Sequence, residues 1–139
     1  MQIITTHLNA DFDGMASMIA AQKLYPDGIM VFSGSQEKNV RDFISENLLY
    51  RYDFQKLKSI DRKKIHQLII VDTRSSKRLG TLAECLKNDN VSVHIFDHHP
   101  KSPGDLNGEV EVIEDVGSTT TLFTHLLKDK GMDITADEA

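Results

Sequence analysis

Five short apolar runs, at residues 3–6, 29–32, 68–71, 91–96 and 110–113, recur along this 139-residue chain, most of them separated by segments with helical spacing. Strands that alternate with helices are joined by crossovers rather than hairpins, so they lie parallel. A parallel sheet brings all its carboxyl ends to one edge, which is where open α/β folds bind ligands. Three chemically loaded clusters stand where these runs end. They are His7-Leu8-Asn9-Ala10-Asp11-Phe12-Asp13-Gly14, then Asp72-Thr73-Arg74, then Asp97-His98-His99-Pro100. Tens of residues apart in sequence, they are expected to meet in space.

The segments between the runs carry apolar stripes at helical period. Met15, Met18, Ile19 and Leu24 mark a helix over 15–25, stopped by Pro26-Asp27-Gly28. Val40, Phe43, Ile44 and Leu48 mark another over roughly 38–48. Leu79, Leu82, Ala83 and Leu86 mark a third, with Cys85 on its border. A fourth spans 118–130, closed by Gly131, and Pro100, Pro103, Gly104 and Gly108 mark a loop. Residues 50–64 fit no single pattern. The expected fold is one α/β domain, a mostly parallel sheet of about five strands with helices on both faces.

Composition narrows the function. No apolar run is long enough to span a bilayer, and the start of the chain lacks the layout of a signal peptide. Cys85 stands alone, which excludes an intramolecular disulfide and fits a reducing cytoplasm, the expected location. The net charge of −5 argues against a surface built for nonspecific nucleic-acid binding. Residues 51–64 run the other way, with Arg51, Lys56, Lys58, Arg62, Lys63 and Lys64 against Asp53 and Asp61. That run is either a basic patch for RNA or a partner domain, or a solvated face.

The first cluster opens like a calcium loop, yet position twelve counted from Asn9 is Ala20 rather than glutamate, and a strand precedes it. Carboxylates mixed with imidazole suit manganese, iron, cobalt or zinc, whereas an all-oxygen shell favours magnesium or calcium. Without thiolates a structural zinc finger is excluded. By itself the Asp11/Asp13 pair also reads as a helix cap, and Asp72 as a turn residue or a phosphoacceptor. Asp97-His98-His99 shifts the balance, because polar side chains at a strand end need partners. One imidazole can ligate a metal while its neighbour meets a phosphate oxygen, with Asp97 fixing a ring tautomer. Lys38 and Arg41 near a helix start can meet an anion, and Ser118, Thr119, Thr120 and Thr121 either contact phosphate or cap their helix.

Taken together in this order, the three clusters resemble the amino-terminal domain of the DHH phosphoesterases, over nearly the whole chain. The first motif is matched by His7 through Asp13, the second by Asp72, and the third by Asp97-His98-His99. Gly34-Ser35-Gln36-Glu37-Lys38-Asn39-Val40-Arg41 and Gly117-Ser118-Thr119-Thr120-Thr121 are similar to a narrower branch. In that branch the module is fused to CBS domains and a tRNA nucleotidyltransferase/poly(A) polymerase. The resemblance implies a Rossmann-like domain that hydrolyses a phosphodiester or phosphoanhydride of a nucleotide or short RNA or DNA. It implies two divalent ions, typically Mn2+ with Mg2+ or Co2+ as alternatives, about 3.5–4 Å apart. His7, Asp11 and Asp72 would hold one, Asp13, Asp72 and His98 the other. Asp72 and His99 would be the catalytic pair, His99 contacting phosphate or protonating the leaving oxygen, with Asn9 and Arg74 as further substrate contacts.

The departure is at the carboxyl end. Thr135 and Glu138 read as the capped start of a further helix, and the family's fourth-motif aspartate and second, substrate-binding domain are not matched. The chain is therefore expected to be a fragment, weakly active or inactive alone. A non-catalytic nucleotide- or RNA-binding regulatory module is the alternative. A phospho-aspartate receiver using Asp72 would leave the two histidines unexplained.

Overall fold

The computed structural model describes residues 1–48 and 52–135, with side chains of residues 47 and 48 excepted. Six strands form one sheet: β1 (Gln2–Thr5), β2 (Ile29–Val31), β3 (Phe54–Gln55), β4 (Gln67–Val71), β5 (Ser92–Asp97) and β6 (Val110–Ile113). Their order is β3-β2-β1-β4-β5-β6 and every pairing is parallel. This is the doubly wound α/β arrangement expected from the alternating pattern. The sixth strand, β3, lies in the segment that sequence left unassigned; two residues are too few to display a period.

The central strands are apolar at successive positions because both of their faces are covered. Ile4, Ile69, Val71 and Phe96 point to one face, where they pack with Met15, Met18, Ile19 and Ala21 of α1 (Phe12–Leu24). Val40 of α2 (Lys38–Phe43) and Leu122 and Phe123 of α3 (Thr119–Asp129) join that core. Ile3, Leu68 and Ile70 point the other way, onto Leu79, Leu82 and Cys85.

Two helices differ from expectation. The stretch over 38–48 is α-helical to Phe43 and then continues as a π-helical turn, Ile44–Leu48; the side chain of Leu48 is outside the described residues. Ser76–Lys87 keeps its predicted apolar stripe but winds as tighter 3₁₀ turns, broken at Gly80 with φ 57°. Close packing explains the break. A Cβ at Gly80 would lie 3.0 Å from Leu8 Cδ2 and 3.0 Å from the Ser33 carbonyl oxygen. Just before the break, the Arg78 carbonyl accepts the Leu8 N–H at 2.7 Å, tying this segment to the loop after β1. The helix start expected at Thr135 runs into residues 136–139, outside the described residues.

The chain leaves β1 for β2 and β3 on one side, and returns through β4 to β5 and β6 on the other. A crevice therefore opens between the carboxyl ends of β1 and β4, where the winding reverses. The basic turn Arg62–Lys64 precedes β4 and so lies at the opposite edge of the sheet.

Gly80→Ala should lower stability by about 1–2 kcal/mol, since the new side chain meets both a positive φ and a crowded space. Chemical denaturation of the two proteins measures the difference.

Candidate metal centre

Asp72 follows β4 directly, is 2% exposed, and adopts φ 63°. Left-handed backbone is uncommon outside glycine, and aspartate is among the few other residues that adopt it readily. Its N–H donates to the Phe96 carbonyl at 2.9 Å, anchoring the turn to β5. The turn sends its carboxylate into the crevice between two imidazoles. Oδ2 lies 3.3 Å from His7 Nε2, and Oδ1 lies 3.5 Å from His98 Nε2.

Both imidazoles are oriented by backbone carbonyls. His7 Nδ1 donates to the Leu8 carbonyl at 2.8 Å, and His98 Nδ1 donates to the Val116 carbonyl at 3.0 Å. Pinned this way, each ring turns its Nε2 toward carboxylates, the usual arrangement of a metal-ligating histidine. His7 Nε2 also lies 3.6 Å from Asp11 Oδ1, and His98 Nε2 3.7 Å from Asp13 Oδ2. Asp11 is at the same time the cap of α1, its Oδ1 accepting the Gly14 N–H at 2.9 Å. α1 begins three residues earlier than its apolar stripe because of this cap. Gly14 is needed there: a Cβ would stand 2.8 Å from Thr6 Oγ1.

The amino end of α3 closes the site from the other side. Thr119 Oγ1 donates to Asp72 Oδ1 at 2.9 Å, and Thr119 N–H to Asp13 Oδ2 at 3.0 Å. Thr120 donates to Asp13 Oδ1 through both its N–H, at 2.9 Å, and its hydroxyl, at 2.5 Å. Ser118 caps the helix by accepting the Thr121 N–H. Burial raises the Asp13 pKa, but these threonine hydrogen bonds outweigh it and hold the carboxyl below its usual range. Asp72 is pushed up, by burial first and by the neighbouring Asp13 carboxylate, against the contacts from His7 and Thr119. Burial lowers His7, yet the Asp72 carboxylate and the Leu8 carbonyl prevail and raise it.

Third, a brace lies beneath His99. Asp97, 1% exposed, accepts from His99 Nδ1 at 2.6 Å on one oxygen and from Arg74 Nε at 3.1 Å on the other. Arg74 Nη2 donates to the His99 carbonyl at 2.6 Å. Arg74 is thus buried with its guanidinium engaged, and the half-exposed His99 ring lies beside that of His98, with centroids 4.2 Å apart.

Among the described residues two donor sets result, each with its donor atoms within 4.8 Å of one another: His7, Asp11 and Asp72, and Asp72, His98 and His99. Asp72 belongs to both. The first set is the one that the resemblance implies. In the second a His99 nitrogen stands among the donors, and Asp13, implied there by the resemblance, is beside His98 but held by α3. A cluster of carboxylates around two imidazoles with their Nε2 atoms turned inward fits divalent cations, which relieve the mutual repulsion of Asp72 and Asp13.

Other candidates fall outside this cluster. Asn9 is exposed, with φ 53°. Lys38 and Arg41 are exposed on α2, Arg41 lining a separate cavity with Phe32, Phe54 and Gln36. His66 meets the amino terminus, His94 bonds Tyr25 and Gln67, and His125 lies near Glu114. Sequence reasoning set Thr120 in a run that meets phosphate or caps a helix, without its partner Asp13, and missed the Val116 carbonyl; nothing local in the sequence marks either contact.

The fold and this switch-point cluster define a Rossmann-like domain with a candidate two-cation site. The chain belongs to the DHH family, matching the family's N-terminal domain over residues 2–139. It is 47% identical to an A-adding tRNA nucleotidyltransferase of Geobacter sulfurreducens over its whole length, and 28% identical to one of Aquifex aeolicus over 99% of it. The chain spans only 16% and 15% of those relatives' own lengths. In structure it is similar to an exopolyphosphatase-related protein from Bacteroides fragilis, with a TM-score of 0.73 at 15% identity, over 94% of this chain and 39% of that one. That likeness shows the fold. Among the described residues no helix is long and apolar enough to cross a membrane.

Asp72→Asn should abolish manganese binding in a calorimetric titration while leaving the fold intact, because asparagine also tolerates left-handed backbone. In the metal-free protein, a raised His7 pKa means that its protonated form stabilises the fold below the ordinary histidine value, an effect lost as pH rises through the folded pKa. A cation must displace that proton, so manganese affinity should fall as pH drops from about 8 to about 6, measured by the same titration. Arg74→Met should cost about 3–5 kcal/mol by denaturation, because it leaves the Asp97 carboxylate buried without its cation.

Proposed function

We propose that this domain is the hydrolytic module of a metal-dependent phosphoesterase, cleaving a phosphodiester or phosphoanhydride of a nucleotide or short oligonucleotide. It would act within a longer protein that also carries a tRNA nucleotidyltransferase. One observation carries the reading: buried Asp72 offers one carboxylate oxygen to each of two pre-oriented imidazoles. His7, Asp11 and Asp72 would hold one cation; Asp72 and His98, with Asp13 or His99, would hold the second. Manganese suits this mixture of imidazole and carboxylate, with cobalt or magnesium as substitutes. Such a pair supplies Lewis acidity, making water a better nucleophile near neutral pH and neutralising charge on phosphoryl oxygens.

The chain's own residues do the rest. The carbonyls of Leu8 and Val116 fix the two rings, so that no reorganisation is needed when substrate arrives. Asp97 holds His99 Nδ1, leaving Nε2, when protonated, to donate to a phosphoryl or leaving oxygen. Arg74 pairs with Asp97 and fixes the His99 backbone. Thr119 and the first amides of α3 hold Asp72 and Asp13 in place.

A second reading, a binding module that does not cleave, is favoured by the relatives' names, which describe nucleotide addition and not hydrolysis. Manganese-dependent release of mononucleotides from a short oligonucleotide by the full-length protein separates the two. Hydrolysis should fall by about 100-fold or more in both Asp72→Asn and His98→Ala. Hydrolysis retained in both variants would overturn the proposal; tight binding without turnover by the unmodified protein would favour the second reading.

A further inference from the structure

The crossover from β3 to β4 carries a charge pattern that the metal centre does not use. All strands of the sheet are parallel, so the residues after β3 start at the edge that bears the metal centre. The chain then reaches the opposite edge before β4 begins at Gln67. It descends the outside of the sheet in two short turns, Leu57–Ser59 and Arg62–Lys64. Leu57, Ile60 and the buried Ile65 turn inward, where they pack on the core that holds Ile3, Leu68, Ile70, Leu79 and Leu82. Lys56, Lys58, Arg62, Lys63 and Lys64 are all exposed. The anchored apolar side chains thus set these cations along a path as tall as the sheet, about 17 Å for the five residues of β4.

The charge of this path is unanswered. Among the described residues no carboxylate pairs with Lys56, Lys58, Lys63 or Lys64. The nearby acids are engaged locally: Asp61 accepts the Lys63 N–H at 3.1 Å, and Asp53 accepts from Gln55 Nε2 at 2.8 Å. Arg62 Nη2 donates to Thr81 Oγ1 at 2.9 Å, which ties the second turn to Ser76–Lys87. No exposed large apolar side chain lies between residues 56 and 66, and that stretch holds no phenylalanine, tyrosine or tryptophan. These absences decide the kind of partner. Protein interfaces are poor in lysine and centre on apolar or aromatic anchors, and single strands stack on aromatic platforms. A helix that lies on a membrane inserts an apolar face. Unpaired lysines on a fixed path, without any of these, suit the regular phosphates of a duplex, which are bound by charge and shape.

We propose that this stripe is a docking surface for the phosphate backbone of duplex RNA, gripped by Lys56, Lys58, Lys63 and Lys64. It runs down the flank of the domain, away from the metal centre, so it holds the body of an RNA and does not present a phosphate for cleavage. The choice of RNA over DNA rests on the reading above, in which the longer protein also carries a tRNA nucleotidyltransferase. The test requires neither manganese nor turnover.

The probe is a blunt-ended RNA hairpin of about 16 base pairs, long enough to offer phosphates on both sides of a groove. Its binding to the full-length protein is measured in EDTA over a series of salt concentrations, beside a DNA hairpin of the same sequence. In Lys56→Gln/Lys58→Gln/Lys63→Gln/Lys64→Gln the slope of log affinity against log salt should become shallower by about two units or more. Affinity for RNA at 0.1 M salt should fall by about tenfold or more in the same variant. Lys128→Gln/Lys130→Gln, which alters exposed cations at the far end of α3, should leave slope and affinity as they are. A slope unchanged in the quadruple variant would overturn the proposal and turn the stripe over to an acidic protein surface. An equal fall per lysine in the α3 variant, or equal affinity for the DNA hairpin, would overturn it too. A slope that flattens as described, in a protein that hydrolyses no oligonucleotide, supports the docking surface and removes the phosphoesterase reading alone.

Discussion

The register of two parallel ladders determines almost everything about the site. Pairing of β1 with β4 sets Thr5 beside Ile70, and two residues further along each strand are His7 and Asp72. Pairing of β4 with β5 sets Val71 beside Phe96, so that Asp72 comes level with Asp97, the last residue of β5, and His98 follows. A slip of one residue in either ladder would turn every apolar side chain to the wrong face. The burial of Ile4, Ile69 and Val71 on one side, and of Ile3, Leu68 and Ile70 on the other, is therefore what holds the donor atoms in reach of each other. The core and the chemistry are specified by the same alignment.

What was legible in the sequence follows from this. Alternation of apolar runs with helical stripes revealed a parallel sheet, and polar residues at the ends of those runs marked the edge that carries the candidate metal centre. Less legible were features decided by contacts across the fold. The Leu79–Leu86 stripe is helical in period, yet the approach of Leu8 and the Ser33 carbonyl to Gly80 forces tighter turns with a break. β3 draws its identity from pairing with β2, not from its own two residues. The sequence reading makes Arg74 a substrate contact, but the folded chain shows it engaged by Asp97, buried beneath it.

The amino end of α3 shows how one element takes on two tasks. Thr119 and Thr120 form its first turn and, with their amides and hydroxyls, donate to carboxylates carried by α1 and by the turn after β4. Partial positive charge at a helix start is well matched to Asp13. The packing of α3 against α1 thus doubles as electrostatic support for the acidic cluster.

Asp72 sits where two independent filters overlap. Its left-handed backbone admits glycine, asparagine and aspartate with little penalty, and excludes longer or branched side chains. The bridging position between two imidazoles admits an ionisable carboxylate with two oxygens, aspartate or glutamate. One amino acid passes both. At this position the shape of the main chain and the chemistry of the side chain leave a vocabulary of a single letter.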